Sequence, residues 1–271
     1  YTGFTSDNFF TKNNFMNILM NMSSRLVIAL GIAGCVITAG CDLSAGRMIG
    51  FGACISGMLL QRMDYSGKFF PDMQPLNVFV VALIAMLVCA AFGTVTGFFI
   101  AYLNVPPFIA TLAMMEIVYG IGLIVTNATP LGGYVEQYTN VSNGKFLGIN
   151  YLIWIAIIVA AITWFIFNMT RHGKYMYAIG GNPQAAEVAG VPVKATLILI
   201  YMKAAAMYGL AGFMLGAKAG GASVQTGYGY EMEAIAACTI GGVSVTGGRG
   251  KVSSAIIGVA VFELLKVALQ Y

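Results

Sequence analysis

The sequence predicts an all-α fold, a polytopic transmembrane helical bundle with an internal repeat and interrupted helices. Three observations carry that prediction. Of 271 residues, 59% are hydrophobic and only 9% charged, whereas a soluble domain needs about 25% charged residues to face water. The apolar residues fall in runs near the roughly 20 needed to cross a bilayer core. One glycine-bearing pattern recurs near the two ends of the chain. With 14 Lys+Arg and 10 Asp+Glu, the chain cannot cover a water-facing globule of this size. Soluble enzyme, disordered chain and nucleic-acid-binding domain are excluded, and the net charge of +4 is too small to argue for a polyanionic partner.

The apolar runs are 25–41, 48–61, 77–103, 106–126, 151–169, 195–217 and 251–269, with a shorter glycine-rich one at roughly 232–247. That makes about eight membrane segments. They are too long and too poor in charge for buried strands, and in lipid the backbone must satisfy its own hydrogen bonds. Closely spaced glycines, such as Gly93 and Gly97 or Gly209, Gly212 and Gly216, read as seams where helix backbones approach. Lys and Arg in short loops set the orientation. Loop 170–194, with Arg171, Lys174 and Lys194 against Glu187, is expected in the cytoplasm. Loops 63–76, 127–150 and 218–231 are expected outside, and 104–105 and the polar break 42–47 inside or reaching inward. Residues 1–24 then lie outside, which implies a further helix before them.

The repeat pairs Ala39–Arg47 (AGCDLSAGR) with Gly241–Arg249 (GGVSVTGGR). At one fixed offset Gly40 matches Gly242, Gly46 matches Gly248 and Arg47 matches Arg249. Fewer spans follow the second copy than the first, so a further C-terminal span is expected. Repeats joined to interrupted helices mark substrate paths in transporters, and irregular backbone at membrane depth needs protein or water around it. Asp42, Ser44, Ser244 and Thr246 are therefore candidates to line or frame a polar route, with Asn104 in the turn between two spans. Glu116 and Lys203 sit in mid-span, where an unpaired charge costs about 2.5–3.5 kcal/mol. They are expected to pair, to face a wet cavity, or to find separate polar neighbours. Glu263 and Lys266 are expected to pair along one helix face.

In YAIGGNPQAAEVAGVPV (177–193), Asn182 suits a helix N-cap and Pro183 the first helical position. Gly190 and Pro192 then stop the helix. About two turns are too short to persist without support. The apolar Ala185, Ala186, Val188 and Ala189 either rest on the chain's own bundle or enter a groove on a cytoplasmic partner.

No catalytic constellation, metal site or cofactor site is expected in the chain. Gly247–Lys251 approaches a phosphate-binding loop, but Val252 stands where a hydroxyl is needed and no strand precedes it. Cys35, Cys41, Cys54, Cys89 and Cys238 lack metal-ligand spacing and read as small packing residues. The single His172 adjoins Arg171 in the basic loop.

The motifs CDLSAGR (41–47), YLNVPPFIATL (102–112), YAIGGNPQAAEVAGV (177–191) and EAIAACTIGGVSVTGG (233–248) resemble those of the permease subunits of bacterial ABC sugar importers, in the ribose/xylose/galactose branch. DLSAGR and LQRMDYSGKFFPDM (60–73) are most similar to its methyl-galactoside (galactose/glucose) members. The resemblance covers nearly the whole chain. It implies one transmembrane permease domain, 1–271, in the bacterial inner membrane, lacking one helix at each end of about ten. It also implies a second permease chain forming a homodimer around a central path, and an extracytoplasmic sugar-binding protein that delivers a monosaccharide. A cytoplasmic ABC ATPase would hold the ATP and Mg. The coupling loop would be 170–194, with Gly181, Asn182, Pro183, Ala185, Ala186, Glu187, Ala189 and Gly190 against that ATPase. Glu116 and Lys203 depart from the uncharged residues expected at their positions. A secondary transporter driven by an ion gradient, with Glu116 as cation site, is the alternative from another class.

Overall fold

The computed structural model describes residues 12–269, so residues 1–11, part of the segment expected outside the membrane, fall beyond the described residues. The long helix α1 (Lys12–Ile37) breaks and resumes as α2 (Ala45–Leu59). Helices α3 (Val78–Tyr102) and α4 (Pro107–Thr126) form a hairpin. A short helix, α5 (Glu136–Asn143), and two paired strands, β1 (Lys145–Phe146) and β2 (Ile149–Asn150), lead into α6 (Tyr151–Met169). Then come α7 (Arg171–Gly181), α8 (Pro183–Val188), α9 (Val193–Ala219), α10 (Tyr230–Ile240) and α11 (Val252–Ala268). The strands are antiparallel, Lys145 opposite Asn150 and Phe146 opposite Ile149.

Each of the eight apolar runs contains a helix, but the lengths differ from expectation. Five are long and apolar enough to cross a membrane: Asn14–Ile37, Val78–Tyr102, Pro107–Thr126, Tyr151–Met169 and Val193–Ala219. The other three, α2, α10 and α11, have 15, 11 and 17 residues. At 1.5 Å per residue each is shorter than the roughly 30 Å hydrocarbon core. The first span starts well before residue 25, because its polar residues are satisfied inside the bundle. Ser23 donates to the Leu19 carbonyl at 2.7 Å, and Lys218 of α9 donates to Asn21. The run at 232–247 is not one helix. It ends at Ile240, and Gly242, Gly247 and Gly248 turn the chain with φ of +98°, +87° and +72°, which side chains with a Cβ rarely adopt.

Helix–break–helix thus occurs twice, as α1–α2 and as α10–α11, and the two breaks meet. The Gly248 amide donates to the Ile37 carbonyl at 2.8 Å. The matched glycines serve different ends. A methyl group at Gly40 would strike the Tyr201 hydroxyl and one at Gly46 the Glu231 carboxylate, whereas Gly242 and Gly248 both supply a positive φ.

Helix α9 runs through the centre, against α3, α2 and α1. The glycine seams explain how it fits. A methyl group at Gly93 would strike the Tyr201 carbonyl, and one at Gly97 would lie 2.7 Å from the Ile198 Cα. On the other flank, a methyl group at Gly52 of α2 would lie 2.9 Å from the Gly209 backbone. Such close approach gains dispersion contacts that lipid tails cannot match. The cysteines pack as expected: Cys35, Cys54, Cys89 and Cys238 are buried, and all five are free.

Glu263 and Lys266 do not pair with each other. Arg25 of α1 bridges Glu233 of α10 at 3.1 Å and Glu263 of α11, while Lys266 bridges Glu233 at 2.8 Å. Glu263 is buried against α1, so its cation comes from another helix rather than from its own. The network ties the first break-helix pair to the second.

The loops gather into two sets. Gln61 pairs with Tyr134 and Leu131 with Ala222, so the three segments expected outside meet at one end. At the other end Tyr177 donates to the Gly250 carbonyl at 2.8 Å, and Lys194 sits 5.1 Å over the Tyr102 ring. Two helices were not foreseen. Helix α5 forms in a polar loop because buried Tyr138 donates to the Phe213 carbonyl of α9 at 2.7 Å. Helix α7 is capped by Thr170, whose hydroxyl accepts from the Gly173 amide.

Candidate functional site

The first break builds a buried polar node. Asp42 accepts from the Ser44 amide at 3.0 Å and the Ser44 hydroxyl at 2.6 Å, and Tyr208 of α9 donates to its second oxygen at 3.1 Å. Thr111 of α4 joins from the side, accepting from the Leu43 amide and donating to the Cys41 carbonyl, both at 3.2 Å. Asp42 and Ser44 are both buried. Both sit at the start of α2, inside the bundle. In the second break Ser244 and Thr246 share a hydrogen bond of 2.8 Å, and Thr246 is exposed. Asn104 is exposed and has a φ of +52°, which makes it the turn residue between α3 and α4.

Glu116 and Lys203 are not brought together. The ion pairs among the described residues do not join them. Glu116 is exposed on α4. Lys203 lines a hollow of about 30 Å³ between α1, α6, α7 and α9, shared with His172. Burial, followed by the charge of Lys203, lowers the His172 pKa to about 4, so the imidazole stays neutral beside the lysine.

A second cluster escaped the sequence reading. Segment 222–229 starts at the Leu131–Ala222 bridge and runs down along α2. Gly50 meets the Val224 and Thr226 carbonyls, and Gly227 meets Ile49. Gly46 lies about 20 Å along α2 from the end of the helix at Leu59, so this irregular backbone reaches well into the bundle. There the Arg47 guanidinium lies between two rings, 4.0 Å from the Tyr119 centroid and 4.3 Å from that of Tyr228. It donates to Gln225 at 2.7 Å, and Gln225 donates to the Tyr119 hydroxyl at 3.0 Å. Glu231 lies beneath, 5% exposed. The sequence signal was partial: Arg47 matched in the repeat, whereas Glu231 closes a segment, 218–231, that reads as an external loop.

At the other end, α8 forms as expected. Asn182 caps it, its side chain accepting from the Ala185 amide at 2.9 Å, and Gly190 turns away at a φ of +82°. Gly181, Asn182, Pro183, Ala185, Glu187, Ala189 and Gly190 are exposed. Ala186 is the exception at 4%, so it seats the helix on its own bundle. Val188, which the candidate set omits, is 91% exposed.

Broken helices packed around a central span, polar groups held at depth and a small helix projecting from one end define a membrane transport permease rather than an enzyme. The chain belongs to the family described as branched-chain amino acid transport system / permease component, which matches residues 14–271. It is a multi-pass inner-membrane protein. It is 43% identical over 265 residues to the galactose/methyl galactoside import permease protein MglC of Haemophilus influenzae, covering 95% of this chain and 79% of that one. The corresponding protein of Escherichia coli strain K12 is 41% identical over 275 residues, 99% of this chain and 82% of its own length. The ribose import permease protein RbsC of the same organism is 33% identical over 269 residues, covering 98% and 80%. No solved structure matches the chain.

Proposed function

We propose that this chain is the membrane subunit of an ATP-driven ABC importer and forms the path for a galactose-type monosaccharide. The observation that carries the reading is the 41–43% identity, over nearly the whole chain, to permeases named for galactose/methyl galactoside import. The proposal makes the chain a single permease domain with about eight membrane segments, the short α2, α10 and α11 among them. Two copies enclose the path, and an external sugar-binding protein delivers the substrate. ATP and Mg belong to a cytoplasmic ATPase subunit, which docks on the coupling loop 170–194. Exposed Val188, flanked by exposed Ala185 and Ala189, supports that docking, because an apolar tip facing water implies a partner.

The test is uptake of labelled galactose into proteoliposomes holding the permease, the ATPase and the binding protein. The reading requires uptake that depends on ATP and on both partners. Uptake that continues without the ATPase and stops with an uncoupler would establish ion-gradient transport instead, with exposed Glu116 as the cation site.

A further inference from the structure

The cluster around Arg47 lies on a face that lipid cannot cover. Segment 222–229 is irregular backbone at membrane depth, tolerated only inside protein or beside a water-filled cavity. Its Gln225 and Tyr228 are exposed, and Glu116, one helical turn from Tyr119 on α4, is exposed as well. Exposed charged and amide groups at this depth are incompatible with lipid.

The cluster also contains two unsatisfied atoms. Arg47 Nε and Glu231 Oε2 are buried without a hydrogen-bond partner, and the two residues form no ion pair. The first can only donate and the second, ionised, can only accept. An anionic ligand satisfies the arginine and is repelled by the carboxylate, and a cationic ligand does the reverse. A neutral polyol suits both, since its hydroxyl groups accept from one and donate to the other. Tyr228, 61% exposed, adds a flat apolar surface for the C–H face of a sugar ring. The same ring covers the guanidinium, so it must turn aside before a hydroxyl reaches Arg47.

We propose that Arg47, Gln225, Tyr228 and Glu231 form a sugar-contact station within the translocation path, with Tyr228 and Gln225 touching the sugar first. This inference rests on the importer reading above. A carrier site must bind weakly enough to release, and covering Arg47 with Tyr228 meets that requirement by making the sugar displace a cation–π contact.

The experiment uses the complete importer in proteoliposomes, with galactose uptake and ATP hydrolysis measured together. Tyr228→Ala and Gln225→Ala are each expected to lower the galactose moved per ATP hydrolysed at least tenfold, and Tyr228→Phe to restore at least half of the wild-type ratio. Both altered side chains are exposed, so neither substitution empties the core. An unchanged ratio in the alanine variants overturns the station, whether both rates stay high or both fall together. Wild-type vesicles that move no sugar under ATP overturn the importer reading and this inference with it.

Discussion

Single side chains in this protein are held by partners far away in sequence, and two of them yield measurable expectations. His172 is neutral in the fold because burial and Lys203 oppose its charge, with its pKa near 4 against about 6.5 when unfolded. The unfolded chain therefore binds more protons between these values. The contribution to stability is complete above about pH 6.5 and is lost as pH falls through about 4. His172→Gln should flatten the pH dependence of the thermal midpoint across that window relative to wild type. Arg25→Met would leave Glu263, 1% exposed, without its cation. Removing one partner of a buried pair costs about 3–5 kcal/mol, which denaturant unfolding in micelles would register, and Arg25→Met combined with Glu263→Leu should cost less. Glu116 and Lys203 stood out in the sequence because they interrupt apolar runs. Arg25 did not, because it sits where a span was expected to begin, and its carboxylates come 208 and 238 residues later.

At the scale of elements, the glycine seams were legible and the helix ends less so. Gly93, Gly97, Gly209, Gly212 and Gly216 were recognisable by spacing; the first four meet backbone of a neighbouring helix, whereas Gly216 makes room for the Tyr138 side chain of α5. Gly93→Leu should overpack the α3–α9 contact, where backbone rather than a flexible side chain blocks the way. The expected destabilisation is about 1–3 kcal/mol, read by thermal unfolding of the purified chain. Hydropathy could not show that 232–247 is a short helix followed by a turn, because Gly242, Gly247 and Gly248 suit either a helix seam or a positive φ. The Asn182 cap, by contrast, depends on one side chain and its own backbone, and was legible from four residues. Helix α5 was not, since it needs Tyr138 to find α9.

For the whole molecule, composition alone placed the chain in a membrane, because 9% charge leaves no other solvent for its surface. Function required knowing which charged groups face water and which face each other. The end that carries α8 illustrates the difference. Ala186 and Val188 are equally apolar in sequence, yet one seats the helix and the other projects. Val188→Arg should reduce galactose uptake at least tenfold while leaving the thermal midpoint within a few degrees of wild type, as measured on the reconstituted importer and the purified chain. Ala186→Arg would lower both, because it unseats α8.

The Arg25 network has a consequence for how the chain is made. Ribosomes add about 5–20 residues per second, so Glu233 and Glu263 emerge roughly 10–50 s after Arg25. Throughout that interval the first long helix carries a cation whose counter-charges have yet to be synthesised. It must either wait at the edge of the insertion machinery or borrow water and lipid headgroups until α10 and α11 arrive. The charge of Arg25 is thus settled only once α10 and α11 have been made, and the elongation between α1 and those two helices is the interval in which α1 is most exposed to misplacement.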